Sequence, residues 1–245
     1  RDRSPSRGLG DVYKRQSQAY MERLKGRIAY LETSRGCPFS CSFCLSGVKE
    51  KVRFFEMERA KENLVRLANS GAKTIKFIDR TFNCHPDRAY ELLSFILDQR
   101  GQTFPEDVCF HFEVGADLFQ PRFLALLATA PPGLIQIEAG LQSFCETTLE
   151  AVDRKTDLTV LTENLRQCIR PHNVHVHIDL IAGLPYEDYK TFAASFNSAF
   201  ALRPHMLQMG FLKLLYGSKL RRQAETRADF GYQFSELAPY EAVSY

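Results

Sequence analysis

The sequence predicts an α/β fold: a partial (βα)6 barrel that is open along one side and has a polar lumen. Two observations predict it. Strand-like and helix-like segments alternate along the chain, and polar residues repeat on one face of consecutive strands. Alternation of this kind indicates parallel strands joined by right-handed crossovers, which form either an open doubly wound sheet or a barrel.

The first three units each pair a β-branched or aromatic run with a segment that has apolar residues at helical spacing. They are RIAYLET (27–33) with EMERAKENLVRLANSG (56–71), KTIKFID (73–79) with PDRAYELLSFILDQRG (86–101), and DVCFHFEV (107–114) with QPRFLALLATA (120–130). Gly71 and Gly101 are predicted to end the first two helices, and Pro86 stands near the start of the second, as these residue types favour.

The last three units follow the same rule. GLIQIEAG (133–140) precedes a short helix (144–152) and a longer one (159–170), VHVHIDLIAG (174–183) precedes YEDYKTFAASFNSAFAL (186–202), and MLQMGFLKLL (206–215) is the sixth strand. Beyond GSKL (217–220) the pattern predicts no particular element.

The residues within the strands distinguish an open doubly wound sheet from a barrel. Side chains alternate along a strand, and here one face carries the polar residues His111, Glu113, Gln136, Glu138, His175, His177, Asp179 and Gln208. A parallel strand covered on both faces should be almost entirely apolar, and a closed eight-stranded barrel fills its lumen with branched apolar residues. The pattern therefore favours an incomplete barrel with a wide, wet lumen, although any one of these residues is also explained as an ordinary hydrogen-bonded buried polar group.

The 245 residues, 44% hydrophobic and 25% charged, fit one large α/β domain or two small ones. We expect a disordered, non-native leader at 1–16, a linker at 17–26, a core domain at 27–220 and a truncated C-terminal extension at 221–245. The leader is basic and poor in apolar residues. On this division the chain is a fragment of a longer protein.

Charge and cysteine content restrict the partners and the compartment. Without the leader's five basic and two acidic residues the chain holds 27 of each, so its charge gives no evidence for a nucleic-acid partner.

No apolar run approaches the roughly 18 residues that span a bilayer, and no secretory signal is visible, so we expect no membrane association. Seven cysteines, an odd number with three clustered, indicate a metal site in a reducing compartment, which we take to be the cytoplasm.

The cluster is CPFSCSFC, in which Cys37, Cys41 and Cys44 have the spacing C-x3-C-x2-C directly after the first strand. It is predicted to lie at the C-terminal rim of the sheet, where α/β folds place their sites. Thiolates suit zinc, copper(I) or iron–sulfur clusters. A closed zinc site needs four ligands, which Cys84 and His85 on the next rim loop would complete. Three ligands on a cubane cluster would instead leave one iron open for catalysis.

The other cysteines are predicted to have no part in the site. Cys109 and Cys168 fall in a strand and in a helix and are interpreted as small core residues. Cys145 opens a helix and is given no role.

The cysteine spacing, with Phe43 just before the last cysteine, resembles the signature of radical S-adenosylmethionine (radical SAM) enzymes. The six βα units with a polar lumen are similar to that family's open TIM-like barrel, and the resemblance covers 27–220. It implies that Cys37, Cys41 and Cys44 hold a 4Fe–4S cluster whose open iron chelates S-adenosylmethionine. One electron would then break a carbon–sulfur bond and give a 5′-deoxyadenosyl radical that takes a hydrogen atom from the substrate.

The resemblance also implies roles for other positions. Phe43 would pack near the adenine, and backbone near Asp79, in FIDRTFN (77–83), would bind the methionine amino group. In IEAGLQS (137–143) the residues near the ribose or carboxylate would be Glu138, Gln142 and Ser143, and the loop of IDLIAGLP (178–185) would meet the adenine. Each position has a structural alternative: Asp79 as a turn or cap residue, Ser143 as an N-cap and 183–185 as a plain turn.

A branch of the family is also indicated. YLETSRGCPFSCSFCLSG, IDRTFN, GLQS, DLIAGLP and LKLLYGSKL together resemble the cobalamin-dependent members, which usually carry a cobalamin-binding domain ahead of the barrel and are often methyltransferases. Only 17–26 precedes the first strand, so we expect cobalamin in the full-length parent only. The implied partners are a polar small-molecule substrate of unknown identity and an electron donor such as flavodoxin or ferredoxin.

Three alternatives remain open at this point. One is the core domain of a methylthiotransferase, which shares much of the motif set. Another is a non-enzymatic binding module stabilised by zinc. The third is a mononuclear non-haem iron site built on His175, His177 and Asp179, although same-face neighbours on a strand lie about 7 Å apart.

Overall fold

The computed structural model describes residues 18–46, 51–237 and 240–244; the leader predicted at 1–16 lies outside them. Six strands form one sheet, in the order of the sequence: β1 (Ile28–Leu31), β2 (Thr74–Phe77), β3 (Cys109–Val114), β4 (Ile135–Gln142), β5 (His175–Ala182) and β6 (Met206–Phe211). Every neighbouring pair is parallel. Within the described residues β1 and β6 do not pair, so the predicted α/β class and open barrel are confirmed.

The predicted helices follow their strands. They are α1 (Met57–Ala68), α2 (Pro86–Gln99), α3 (Pro121–Ala128), α4 (Glu146–Ala151), α5 (Leu158–Ile169) and α6 (Tyr189–Ala201). Pro86 is the first residue of α2, where its missing N–H removes no helical hydrogen bond. The Asp157 and Asp188 carboxylates cap α5 and α6 by accepting hydrogen bonds from backbone N–H groups of the first turn. Local sequence therefore sets these helix starts.

The core lies between one face of the sheet and the helices. Alternate residues of the central strands are buried on this face, and the rings of Phe77, Phe82 and Phe112 pack with centroids 4.3–5.3 Å apart. Burial of each large apolar side chain contributes about 1.5–3 kcal/mol. This side of the sheet supplies the stability, which leaves the other side available for polar groups.

The opposite face is the lumen, and its polar character is confirmed. Strand register places Lys76 beside His111, Glu113 beside Glu138, and Glu138 beside His177. At the open edge Asp179 lies beside Gln208 of β6, whose side chain is exposed. The lumen is therefore lined by charged residues and open to solvent along β6.

Of the two cysteines that were predicted to be core residues, one is in the core and the other is not. Cys168 is buried in α5, as predicted. Cys109 is not a core residue: it is half-buried on the lumen side of β3, because it is two residues before His111 and alternation puts both on the same face.

Several elements were not predicted. They are a helix at Gln18–Glu22 inside the expected linker, a two-stranded sheet of Ser34–Arg35 with Arg53–Phe54, short 3-10 turns at Phe82–Cys84, Ala116–Leu118 and Ala228–Phe230, helix α7 (Lys219–Thr226), and a hairpin of Gln233–Leu237 with Tyr240–Ser244. None of the described helices combines the length and the apolar character that crossing a membrane requires.

Helix α7 joins the expected core domain to the segment after it. Leu220 and Phe230 are buried in a second apolar cluster with Val152 and Leu184, and Phe43 of the cysteine loop packs against that cluster. The chain beyond residue 220 thus supports the rim of the barrel. The sequence of α7, KLRRQAET, is polar on average, and its buried apolar residues are Leu220 and Ala224.

Candidate active site

The three cysteines lie on the loop after β1, at the C-terminal rim of the sheet. Ser42 fixes the middle of the loop: its N–H donates to Val152 at 2.8 Å, and its carbonyl accepts from the Leu220 N–H at 2.7 Å. Within the loop the Cys44 N–H donates to the carbonyl of Cys41 at 3.1 Å. Backbone contacts from two distant parts of the chain therefore hold the thiols in place.

A cavity of about 220 Å³ opens below this loop. Cys37, Cys41 and Cys44 form one wall, and side chains from the lumen, including Glu113, Glu138 and Asp179, form another. A group bound to the cysteines would thus face directly into the polar lumen.

The donor set fits a cluster better than a single zinc ion. Four thiolates around one zinc lie about 3.8 Å apart, as follows from Zn–S bonds of about 2.3 Å. Among the described residues no three cysteine sulfurs lie within 4.8 Å of one another. At least one pair of the three loop sulfurs therefore lies farther apart than two ligands of one zinc ion, which suits the larger cubane of a 4Fe–4S cluster.

The proposed completion of a zinc site by the next rim loop finds no support. The Cys84 thiol is half-buried, and burial raises its pKa to about 11. His85 caps α2, with Nδ1 accepting from the Arg88 N–H at 3.4 Å, and its ring packs against Phe54. Neither residue is among those that line the cavity.

Arg154, which sequence reasoning missed, lies beside the thiols. Its Nη1 is 3.8 Å from the Cys41 sulfur, its Nη2 donates to the Gly140 carbonyl at 2.8 Å, and its guanidinium lies 4.6 Å from the centroid of Phe39. Burial raises the pKa of the Cys41 thiol, and the charge of Arg154 opposes that shift. Arg80 also lines the cavity, so two arginines stand at its rim.

Three of the five residues expected near the cofactor line the cavity: Phe43, Glu138 and Gln142. Gln142 has a left-handed backbone with φ of 72°, next to a register shift at the end of β4. A Cβ at position 140 would lie only 2.4 Å from the side-chain nitrogen of Gln142. The observed orientation of the Gln142 side chain therefore requires glycine at position 140.

Asp79 does not reach the cavity with its side chain. It is 2% exposed, and its carboxylate accepts from the Thr33 N–H at 2.7 Å, the Thr33 hydroxyl at 2.6 Å and the Ser34 hydroxyl at 2.7 Å. These bonds fix the chain just before the cysteine loop. The next two residues, Arg80 and Thr81, do line the cavity, so a cofactor contact by backbone in this segment stays a prediction.

Ser143 is also outside the cavity walls. It is fully buried, donates to the Glu187 carboxylate at 2.6 Å and accepts from the Cys145 N–H at 2.8 Å. Glu187 also accepts from Ser195 of α6 at 2.9 Å. This buried cluster connects the loop after β4 to the loop after β5. Ser143 is not the N-cap of α4, because that position is occupied by Cys145 and no side chain caps the helix.

The lumen contains a charged network that centres on Glu138. One Glu138 oxygen lies 2.9 Å from His111 Nε2 and 3.2 Å from Lys76 Nζ, and Lys76 is also 3.5 Å from Glu113. The hydrogen bond from His111 and the charge of Lys76 together hold the pKa of Glu138 at about 2, against the effect of burial. Lys76 was not singled out in the sequence because only strand register brings it to these carboxylates.

Asp179 has a different environment. Its Oδ1 lies 3.0 Å from His177 Nε2, and a carboxylate oxygen of Glu138 lies within 4.8 Å of both residues. Burial, followed by the negative charge of Glu138, raises the pKa of Asp179 to about 7. Burial lowers the pKa of His177.

The postulated iron site on His175, His177 and Asp179 is not formed. The described residues instead bring Glu138, His177 and Asp179 to within 4.8 Å of one another, because register places Glu138 beside His177. His175 is farther along the strand, as the spacing of same-face residues requires.

Asp179→Asn should change how stability depends on pH. Because the folded-state pKa of Asp179 is about 7 against an ordinary 3.8, its contribution to stability is full below about pH 4 and is lost as pH rises through 7. We therefore expect the melting temperature of the wild type minus that of the variant to fall between pH 4 and 7. Thermal melts of metal-free protein check this, with exposed Glu150→Gln as the control. A difference that grows with pH would contradict the assignment.

Comparisons with known proteins agree with this geometry. The family model of the radical SAM superfamily matches residues 31–199. The chain is 30% identical over 175 residues to the cobalamin-dependent radical SAM methyltransferase TokK of Streptomyces tokunonensis. It is 29% identical, also over 175 residues, to 2-(S-pantetheinyl)-carbapenam-3-carboxylate methyltransferase of Streptantibioticus cattleyicolor. Each alignment covers 69% of this chain and 25% of the relative, so the chain spans about a quarter of their length.

Solved structures show the same fold. The radical S-adenosylmethionine methyltransferase TsrM from Kitasatospora setae, with cobalamin and a [4Fe-4S] cluster bound, matches with a TM-score of 0.75 and 21% identity over 90% of this chain and 41% of that chain. Coproporphyrinogen III oxidase (HemN) from Escherichia coli matches with a TM-score of 0.59 and 17% identity, over 89% and 57% of the two chains. Because the family model covers more than half of its residues, the chain belongs to the radical SAM superfamily.

Proposed function

We propose that the chain binds a 4Fe–4S cluster through Cys37, Cys41 and Cys44 and reductively cleaves S-adenosylmethionine. The radical SAM family uses both cofactors. The observation that carries the proposal is the loop of three thiols facing a polar lumen, with no fourth cysteine and no histidine among the described residues that line the cavity. Three ligands leave the open coordination position that a catalytic metal site needs.

The chain's own residues suit the cofactor's chemical groups. When bound, the cluster would supply the electron that breaks the sulfonium bond. Arg80 and Arg154 place positive charge at the rim, where it favours the carboxylate of S-adenosylmethionine. Phe43 offers an apolar face for the adenine, while Glu138 and Gln142 offer polar atoms for ribose hydroxyls.

The surrounding fold holds these groups in position. Asp79 fixes the entrance to the cysteine loop, and the Ser143–Glu187 pair fixes the loop that follows Gln142. Both sets of bonds are buried, so solvent does not compete for them. Buried hydrogen bonds of this kind keep the residues that contact a cofactor in a fixed position.

For the longer protein we propose a cobalamin-dependent methyltransferase, because the curated relatives of this chain carry that description. It would act in the cytoplasm on a small molecule and receive its electron from a carrier such as flavodoxin or ferredoxin. Cobalamin would need surfaces beyond the barrel rim, since small-molecule sites bury most of their ligand.

Protein reconstituted without oxygen should contain about four irons and four sulfides per chain, the content of one 4Fe–4S cluster. When reduced, it should cleave S-adenosylmethionine slowly. Iron and labile-sulfide analysis, electron paramagnetic resonance and chromatography of the 5′-deoxyadenosine product measure these outcomes. Stoichiometric zinc without labile sulfide in anaerobic protein would refute the proposal.

A further inference from the structure

Each of the three cysteine sulfurs lies at hydrogen-bond distance from one polar group of the protein. The pairs are Cys37 with the Thr81 hydroxyl at 3.6 Å, Cys41 with Arg154 Nη1 at 3.8 Å, and Cys44 with the Ser46 N–H at 3.3 Å. Hydrogen bonds to the ligating sulfurs and nearby charge are among the features that set the reduction potential of an iron–sulfur cluster. The groups around this loop therefore decide in part how readily a bound cluster accepts an electron.

Arg154 is the charged member of this set, and contacts other than the sulfur hold its side chain in place. Its Nη2 donates to the Gly140 carbonyl at 2.8 Å, near the end of β4. Its guanidinium lies 4.6 Å from the ring centroid of Phe39, which belongs to the cysteine loop itself. The strand and the loop together hold the positive charge next to the Cys41 sulfur.

Burial makes the charge of Arg154 more effective at Cys41 than it would be at the other two ligands. Cys41 is buried, whereas Cys37 and Cys44 are half-buried. Charges interact more strongly where little water screens them. Reduction adds one negative charge to a cluster that three thiolates already make anionic, so a neighbouring guanidinium stabilises the reduced form more than the oxidised form.

We propose that Arg154 raises the reduction potential of the cluster held by Cys37, Cys41 and Cys44. The inference rests on the proposed function, since it concerns the same cluster. It predicts an effect in the absence of S-adenosylmethionine, which distinguishes it from the attraction of Arg154 for the cofactor's carboxylate. A higher potential lets a weaker electron donor keep the cluster reduced, so Arg154 widens the range of donors that can serve the enzyme.

The test is an anaerobic redox titration of the reconstituted full chain without S-adenosylmethionine, in which electron paramagnetic resonance follows the reduced cluster. At a fixed potential, Arg154→Gln should lower the ratio of reduced to oxidised cluster about tenfold, which is a fall of about 59 mV in the midpoint of a one-electron couple. Arg154→Lys keeps the charge but loses the planar fork, so its ratio should fall only about threefold. Lys155→Gln is the matched control. It removes the same charge from the exposed neighbouring residue, where solvent screens it, and the ratio should stay within about twofold of the wild type.

An unchanged midpoint in Arg154→Gln would overturn the proposal, and so would an equal fall in Lys155→Gln. If Arg154→Gln assembles no cluster, Arg154→Lys decides, and a midpoint equal to that of the wild type overturns the proposal. Weaker S-adenosylmethionine binding without a midpoint shift would overturn it by assigning Arg154 to the cofactor alone. Iron and sulfide are measured on every sample. A wild type without about four of each refutes the proposed function, whereas an intact cluster with an unchanged midpoint refutes only this inference.

Discussion

Cys41→Ala should abolish cluster assembly and S-adenosylmethionine cleavage while leaving the fold in place. The three cysteines are the minimum for the cluster, and among the described residues no further cysteine lines the cavity. Cys41 is buried, but it lies on the rim loop rather than in the main apolar core between sheet and helices. Removing its sulfur should therefore lower stability by only about 1 kcal/mol.

The alternative of a structural zinc site makes the opposite prediction. There metal binding contributes about 10 kcal/mol or more to folding, so loss of a ligand would unfold the region. Circular dichroism, thermal melting, iron content and cofactor cleavage, all under anaerobic conditions, distinguish the two. Cys145→Ala is the matched control, because Cys145 is a half-buried cysteine at the start of α4. A Cys41→Ala protein that keeps its iron and its activity would show that Cys41 is not a ligand.

The parts of the molecule that sequence could predict are those encoded locally. Alternating strands and helices, with Pro86 at a helix start, depend on neighbours along the chain, and the structure contains each predicted strand and helix. The polar lumen could be predicted because alternation assigns faces without knowledge of the fold. Cys109 was assigned to the core through the general preference of cysteine for burial, although alternation with His111 already placed it on the lumen side.

The contacts between distant segments could not be predicted. In the sequence Lys76 is not distinguished from the other lysines. Only the pairing of β2 with β3 brings it near Glu138. Arg154 lies in a charged loop, and only the packing of that loop against the cysteine loop places it beside Cys41. Helix α7 has almost no apolar residues, yet Leu220 anchors the rim. Each depends on tertiary geometry that a hydrophobic pattern does not encode.

Asp79 has the largest expected effect on stability. Replacement by alanine would leave three buried donors without an acceptor: the Thr33 N–H and the hydroxyls of Thr33 and Ser34. An unsatisfied buried donor costs about 1–3 kcal/mol, and hydroxyls can turn to other acceptors, so we expect Asp79→Ala to lower the free energy of unfolding by about 3–5 kcal/mol. That is a large share of the 5–15 kcal/mol typical of a domain.

Asp79→Asn separates a structural role of the side chain from a cofactor contact. The amide oxygen can still accept from the Thr33 N–H, and both hydroxyls can rotate to accept from the amide nitrogen, so the variant should lose less than half as much stability as Asp79→Ala. Because the carboxylate faces Thr33 and Ser34 rather than the cavity, the dissociation constant of S-adenosylmethionine on reconstituted Asp79→Asn should stay within about threefold of the wild type. Chemical unfolding and equilibrium binding measure the two effects, with exposed Asp107→Ala as the control. A stable Asp79→Asn protein that binds the cofactor much more weakly would assign the side chain to cofactor binding instead.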